Sequence, residues 1–340
     1  MRKLASIQKI KYVKPIPDAD SIETVGILGW ECVSKKGEFQ PDDLCVYFEI
    51  DSLLPEIPEF EFLRKGCWND SLKKFRLKTI KLRKQLSQGL ALPISVFPKL
   101  AELNVGDDVT ELLGIEKYEP PIPAAIVGDA RRFLWPISKT DEVRVQLDDE
   151  YKFIETLTGQ PYYISLKLDG TSSTFLIDPS DETFHVCGRN FSYQNKKAHS
   201  FWQIAERYNI EQGLRGLWNE GRKIAIQGEV VAPGVQKNPL GLPIADLYVF
   251  NVVDIPTNTK LCLDDSLNIV DRLGLKFVPV LEKGESFGYT VDDLLELAQG
   301  KYVQHFSSAK PSQEREGIVI RDICGTVSFK AINNQFLLKE

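Results

Sequence analysis

Short apolar runs between turn residues occupy roughly the first 115 positions: Ala5 to Val13, Ile22 to Val25, Glu31 to Val33 and Leu44 to Ile50, then Gly89 to Pro93 and Gly106 to Val109. Strands of this length at regular spacing predict a small barrel or sandwich. Between Phe62 and Gln85 apolar and basic residues alternate, as in Phe75-Arg76-Leu77-Lys78 and Ile80-Lys81-Leu82-Arg83. A period of two predicts a strand with one apolar and one basic face, and the slip of phase at Thr79 is what a bulge would allow.

The run Glu119-Pro120-Pro121-Ile122-Pro123-Ala124-Ala125 interrupts this pattern. Its prolines fix an extended backbone and offer no amide donors, so it reads as a stiff linker. The expected division is residues 1–118 as a barrel domain, 119–128 as linker and 129–340 as a second domain. Strands are expected there at Tyr162 to Leu168, Ser173 to Ile177, Thr183 to Val186, Lys223 to Val231, Leu247 to Asp254, Gly317 to Arg321 and Thr326 to Ala331. Helices are expected at Ala198 to Tyr208, Leu261 to Leu273 and Thr290 to Ala298, the last with Thr290 and Asp293 as a capping box and Gly300 as its stop. The class is α+β with substantial antiparallel sheet.

Composition narrows the chemistry. Six cysteines stand far apart with no Cys-x-x-Cys pair, so reduced, mostly buried thiols are expected. Three histidines (His185, His199, His305) share no metal-ligand spacing, which argues against zinc enzymes and His-based hydrolases and leaves oxygen ligands for any metal. No apolar run is long enough to cross a bilayer, and the first residues lack the apolar core of a signal peptide, so a cytosolic protein is expected. The net charge of −6 argues against a polyanionic partner, but from Phe62 to Gln85 nine Lys or Arg face a single acid, Asp70. That basic face is either solvated or a footprint for phosphates.

The candidate chemistry begins at Lys167-Leu168-Asp169-Gly170, a lysine where an apolar strand meets a bend. Alone, a strand-end lysine is usually just solvated. It is followed in order by Cys187-Gly188-Arg189-Asn190, Gln227-Gly228-Glu229-Val230-Val231, Val249-Phe250-Asn251-Val252-Val253-Asp254, Glu316-Gly317-Ile318-Val319-Ile320-Arg321 and Ser328-Phe329-Lys330-Ala331-Ile332-Asn333. An amine attacks phosphorus only when neutral, so Lys167 would need desolvation or a nearby cation. Asp169, Glu229 and Glu316 could hold a hydrated Mg²⁺ or Mn²⁺ through its waters. Lys330 could neutralise an α-phosphate, and the planar fork of Arg189 suits a ribose or a strand-end phosphate, unless it lies on a plain surface. Phe250 is either a flat apolar face on which a planar ring could stack or core.

In kind and order these segments resemble motifs I, Ia, III, IIIa, IV and V of the covalent nucleotidyltransferases, the superfamily of ligases and capping enzymes. Only seven residues follow Asn333, too few for the OB domain that DNA ligases and capping enzymes carry after motif V. The string Gln227 to Pro239 is similar to that of RNA-ligase-2-type enzymes. Leu4 to Ile10, Gly37-Glu38-Phe39 with Val46 to Asp51, and Gln85 to Leu90 resemble the N-terminal OB domain of Naegleria-type RNA ligases, and Lys139 to Gln146 resembles the segment leading into their ligase domain.

The resemblance implies an OB-fold barrel followed by an adenylyltransferase domain of ATP-grasp-like antiparallel sheets with helices. It implies an ATP-dependent RNA ligase that seals 3′-hydroxyl/5′-phosphate breaks, as nicks in duplex RNA, with Lys167 carrying AMP. Lys167, Asp169, Gly170, Arg189, Glu229, Phe250, Glu316 and Lys330 would form the nucleotide site. Arg76, Lys78, Lys81, Arg83 and Arg144 would meet RNA, with no membrane and no obligate protein partner. Ile332 departs from the Lys-x-Lys of many motif V sequences, so either another cation, for instance from the OB domain, would replace it or sealing would be slower than adenylation. A DNA ligase, a GTP-using capping enzyme, or an inactive OB-containing RNA-binding protein are the alternatives.

Overall fold

The computed structural model describes residues 3–119, 130–132, 137–138, 140–189, 191–194 and 199–339. The expected linker after Glu119 lies outside them, as do Lys139 and Asn190. The chain divides into two compact units, Met1–Pro121 with Gln146–Lys152 and Leu337–Glu340, and Ile122–Val145 with Phe153–Phe336.

In the first unit Leu44–Phe48 lies between Ala5–Lys9 and Leu90–Pro93, while Tyr12–Pro15, Ile22–Ile27 and Trp30–Lys35 form an antiparallel meander. The expected strand over Ala5 to Val13 is thus two strands, parted at Ile10 and Lys11. Alternation puts Ile7, Val46, Phe48 and Val109 inward with Phe60 and Phe75, all fully buried. Phe48 and Phe60 meet edge to face with centroids 5.3 Å apart. Each such ring stabilises the fold by about 1.5 to 3 kcal/mol through burial alone.

The basic segment corrects the expectation of one long strand. Pro58–Leu63 is a 3-10 turn and Arg64–Cys67 a single helical turn, where Arg64 lies over the Trp68 ring at 4.0 Å and pairs with Glu56 and Glu61. Lys74–Arg76 then pairs with Trp68–Asn69 and Ser52–Leu54, whereas Thr79–Leu82 pairs only with Gln85–Gln88. The slip at Thr79 is therefore a change of sheet rather than a bulge. Arg83 and Lys84 form the two-residue turn of that last hairpin, both with positive φ (48° and 70°).

The second unit holds two sheets. One runs Val143–Arg144, Ser328–Ile332, Gly317–Asp322, Tyr162–Lys167, Val280–Gly284. The other passes from Phe184–Gly188 through Thr171–Ile177 and Ile224–Val231 to Asp246–Asp254. The expected strands fall on these with small shifts at their ends, and the capping box at Thr290 and Asp293 is formed. Ser200–Arg207 buries Phe201, Trp202, Ile204 and Ala205 against the larger sheet. A second helix, Ile210–Asn219, was not among those expected, and it contains Gly213 and Gly216. Its Ile210, Leu214 and Leu217 are nonetheless spaced for one face, and a Cβ on Gly213 would sit 2.5 Å from Leu273 Cδ2.

The cysteines also require a correction. Cys32, Cys45 and Cys187 are buried free thiols, as expected, but Cys262 and Cys324 form a disulfide. Cys262 precedes the helix Leu263–Arg272 and Cys324 follows the strand Gly317–Asp322, and a Leu263 amide to Ile323 carbonyl bond of 2.8 Å brings the two turns together.

Candidate functional site

Lys167 is the last residue of a strand whose preceding five residues are all buried, so its backbone is fixed and its side chain leaves the sheet at the edge. In register it faces Gly317, which places Glu316 beside it. Its Nζ lies 2.8 Å from Glu316 Oε1, both side chains being mostly buried. A Cβ on Gly317 would meet the Ala331 carbonyl oxygen at 2.2 Å, so only glycine allows this close strand approach. Gly170 is required in the same way: a Cβ there would lie 2.5 Å from the Val230 carbonyl oxygen. Its amide instead donates to Glu229 Oε1 at 3.1 Å, tying the bend after Lys167 to the strand Ile224–Val231.

The electrostatics follow from this crowding. Burial by itself would depress the Lys167 amine, but Glu316, Glu229 and Asp169 outweigh it and raise it above its ordinary value. Glu229 is pushed up to about 8, first by burial and then by Glu316 and Asp169, against the pull of Lys167. Lys330 is pushed down to about 7 by burial and then by the cations Lys167 and Arg144. The site thus gathers more part-buried acids than Lys167 alone neutralises. Acids gathered in this way would suit a small hard cation held through its own waters.

Phe250 owes its position to an irregularity. Gln227 pairs with Asn251 and Gly228 with Val249, which leaves Phe250 as the extra residue of a bulge. A bulge re-aims its side chain, here toward Leu166, Leu168 and Tyr248 with one part left open. Arg189 follows the strand Phe184–Gly188 and is held by Asp141 at 2.5 Å.

An RNA ligase family profile matches residues 160–333, and an OB-fold domain profile matches residues 4–94. A structure of a Naegleria gruberi RNA ligase variant with AMP and Mn superposes with a TM-score of 0.90 at 37% identity, covering 100% of this chain and 99% of that one. A variant of the same enzyme with ATP and Mn gives 0.89 at 37%, over 99% of each chain, and the enzyme with PPi gives 0.89 at 38%, over 100% and 99%. The chain belongs to the RNA ligase family. No curated protein sequence matches it.

The ligase carries its OB-fold domain ahead of the nucleotidyltransferase domain, as its sequence suggested. Two of the residues assigned to RNA are placed differently. Arg76 lies 3.5 Å over the Tyr118 ring and 3.7 Å from Asp51, held within its own unit. Arg144 is 8% exposed and pairs in parallel register with Lys330, so it lies in the interior beside the strand Ser328–Ile332. Lys78, Lys81 and Arg83 are exposed as expected, joined by Lys84. Two residues escaped the sequence reading: Asp141, whose link to Arg189 crosses between distant segments, and Tyr302, whose hydroxyl contacts the backbone at Lys167, Asp169 and Glu316. Asp141 lies in the stretch Lys139 to Gln146, which had suggested a domain entry but no site residue at that position, and no local pattern marks Tyr302.

Proposed function

We propose that this ligase uses ATP and Mn²⁺ or Mg²⁺ to join an RNA 3′-hydroxyl to a 5′-phosphate across nicks in duplex RNA. The reading rests on one observation above all, the Lys167 amine 2.8 Å from Glu316, beside the part-buried acids Glu229 and Asp169 and near enough to Lys330 to act on its charge. The related structures with ATP, AMP and PPi support it.

In the first step the Lys167 nitrogen forms a bond to the α-phosphorus, the bond to the bridging oxygen breaks, pyrophosphate leaves and the amine proton is lost. A 5′-phosphate oxygen then displaces Lys167 from AMP, and a 3′-hydroxyl attacks that phosphate, releasing AMP and a proton. Asp169, Glu229 and Glu316 hold the divalent ion, which supplies positive charge at the α-phosphate and favours the neutral amine. Lys330 and Arg144 face the phosphates, so Arg144 takes the place that Ile332 leaves without a cation. Phe250 stacks on the base, Gly170 lets the backbone approach, and Arg189 receives ribose or the strand end. Positioning and charge neutralisation carry most of the rate in such transfers.

The OB-fold domain, divided from the ligase domain at 119–128, grips the RNA backbone through Lys78, Lys81 and Arg83. The work is cytosolic and needs no protein partner; among the described residues no helix is long and apolar enough to cross a membrane. Wild-type protein with α-labelled ATP and Mn²⁺ is expected to acquire an acid-labile label, little with GTP, and to seal RNA nicks in preference to DNA nicks. Absence of label, or equal labelling by GTP, would refute the reading.

A pH dependence follows. Because folding raises Glu229 to about 8, its proton stabilises the metal-free protein fully below the ordinary carboxylate range and ever less as pH rises through 8. An ion must displace that proton, so the rise in Tm on adding Mn²⁺ should be larger at pH 8 than at pH 6.5, by about 3 °C. Equal shifts at both pH values would show that Glu229 does not hold the ion.

A further inference from the structure

Tyr302 sits in a short 3-10 turn, fully buried, with its ring among Leu166, Leu168, Leu240 and Tyr248. Its hydroxyl donates to the Lys167 carbonyl at 3.0 Å and accepts from the amides of Asp169 at 2.8 Å and Glu316 at 3.2 Å. A phenol has one donor and two acceptor sites, so all are used. These backbone groups lie where the pairing of Tyr162–Lys167 with Gly317–Asp322 ends at the Lys167 and Gly317 pair. Past that pair the strands have no ladder of their own, and buried amides require a partner. One side chain supplies it to both segments.

We propose that Tyr302 is a positioning residue for lysine adenylation. Its hydroxyl pins the bend at Lys167 to Asp169 against the residue that opens the facing strand, and so fixes the nucleophile and two of its carboxylates in one geometry. Tyr302 touches no reacting atom; it acts through the backbone that aims them. Errors near 1 Å in such placement cost rate rather than affinity, on the order of 100-fold.

The inference rests on adenylation at Lys167, and its test separates the two. Tyr302→Phe keeps the ring and removes only the hydroxyl. Single-turnover adenylation at saturating ATP is expected to fall roughly 10- to 100-fold, with half-saturating ATP changed less than about threefold. Phe306→Leu, a change in an adjoining aromatic that contacts the Tyr302 ring edge but not these backbone groups, should lower Tm while leaving the rate near wild type. A Tyr302→Phe rate within twofold of wild type, or a rate loss matched by the rise in half-saturating ATP, overturns the proposal. Wild-type protein that takes no label would instead remove the adenylation reading. Should Tyr302→Phe fail to fold, hydrogen exchange in the wild type decides: the Asp169 and Glu316 amides are expected to be protected like strand amides, and fast exchange at both overturns the inference.

Discussion

Lys167→Ala is expected to leave no covalent nucleotide on the protein, a loss of at least about 10⁴-fold in label after incubation with α-labelled ATP and Mn²⁺. The outcome is not trivial, because a second amine competes. In the metal-free site Lys330 is depressed to about 7 while Lys167 is raised, so proton affinity alone would favour Lys330 as the nucleophile. The causes of the two shifts point the other way. Lys330 is neutralised by burial and by the cations Lys167 and Arg144, and the phosphates of ATP would restore its charge. Lys167 is protonated because Glu316, Glu229 and Asp169 surround it, and a cation held by those acids cancels their hold. Filling the site therefore reverses the order of the two amines. Mass mapping of the wild-type adduct should find AMP on the peptide holding Lys167. Undiminished label on Lys167→Ala, carried by Lys330, would mean that the order is not reversed.

How far this site could be read without coordinates depended on how local each cause was. Tyr162 to Lys167, Ile224 to Val231 and Gly317 to Asp322 declare themselves because buried strands need continuous apolar runs. Lys167 closes one run, Glu316 precedes another and Glu229 lies within the third, and what made all three legible was the ordered series of segments that resembles the covalent nucleotidyltransferases. Arg144 was not, since its meaning comes from parallel pairing with a strand near the other end of the chain. Tyr302 drew no notice, because its contacts run to backbone groups 14 and 135 residues away. The disulfide joins residues 62 apart and leaves no mark in their neighbours. In the OB-fold domain the alternation from Phe75 to Arg83 was real, but alternation says only which way side chains point and not which strand lies alongside. The chain changes partners at Leu77 to Thr79, where the phase slips, and a slip reads equally well as a bulge within one strand, so one expected strand became two in different sheets.

That change of partners is what gives the hairpin Thr79–Gln88 its character. From Ile80 to Lys84 every residue is exposed, so neither face of the ribbon tip is covered, and Ile80 and Leu82 stand 40% and 39% exposed between the cations. At the tip Arg83 and Lys84 both hold positive φ, a conformation that costs most side chains about 1 to 2 kcal/mol and that two-residue hairpins usually assign to Asn-Gly. Two cations in place of the better turn formers are local strain kept where charge is useful. The variant Arg83→Asn with Lys84→Gly, combined with Lys78→Gln and Lys81→Gln, removes four charges while supplying the favoured turn. It is expected to be as stable as the parent or more so, by about 1 kcal/mol, and to take up AMP at the parent rate, because the proposed nucleotide-site residues belong to the other unit. Its affinity for nicked duplex RNA should fall roughly 100-fold near 0.1 M salt, and the slope of log K against log salt should become shallower by about 3 to 4. An unchanged slope would show that these cations meet no phosphates. A lost AMP adduct would show that the hairpin serves the first step as well as RNA.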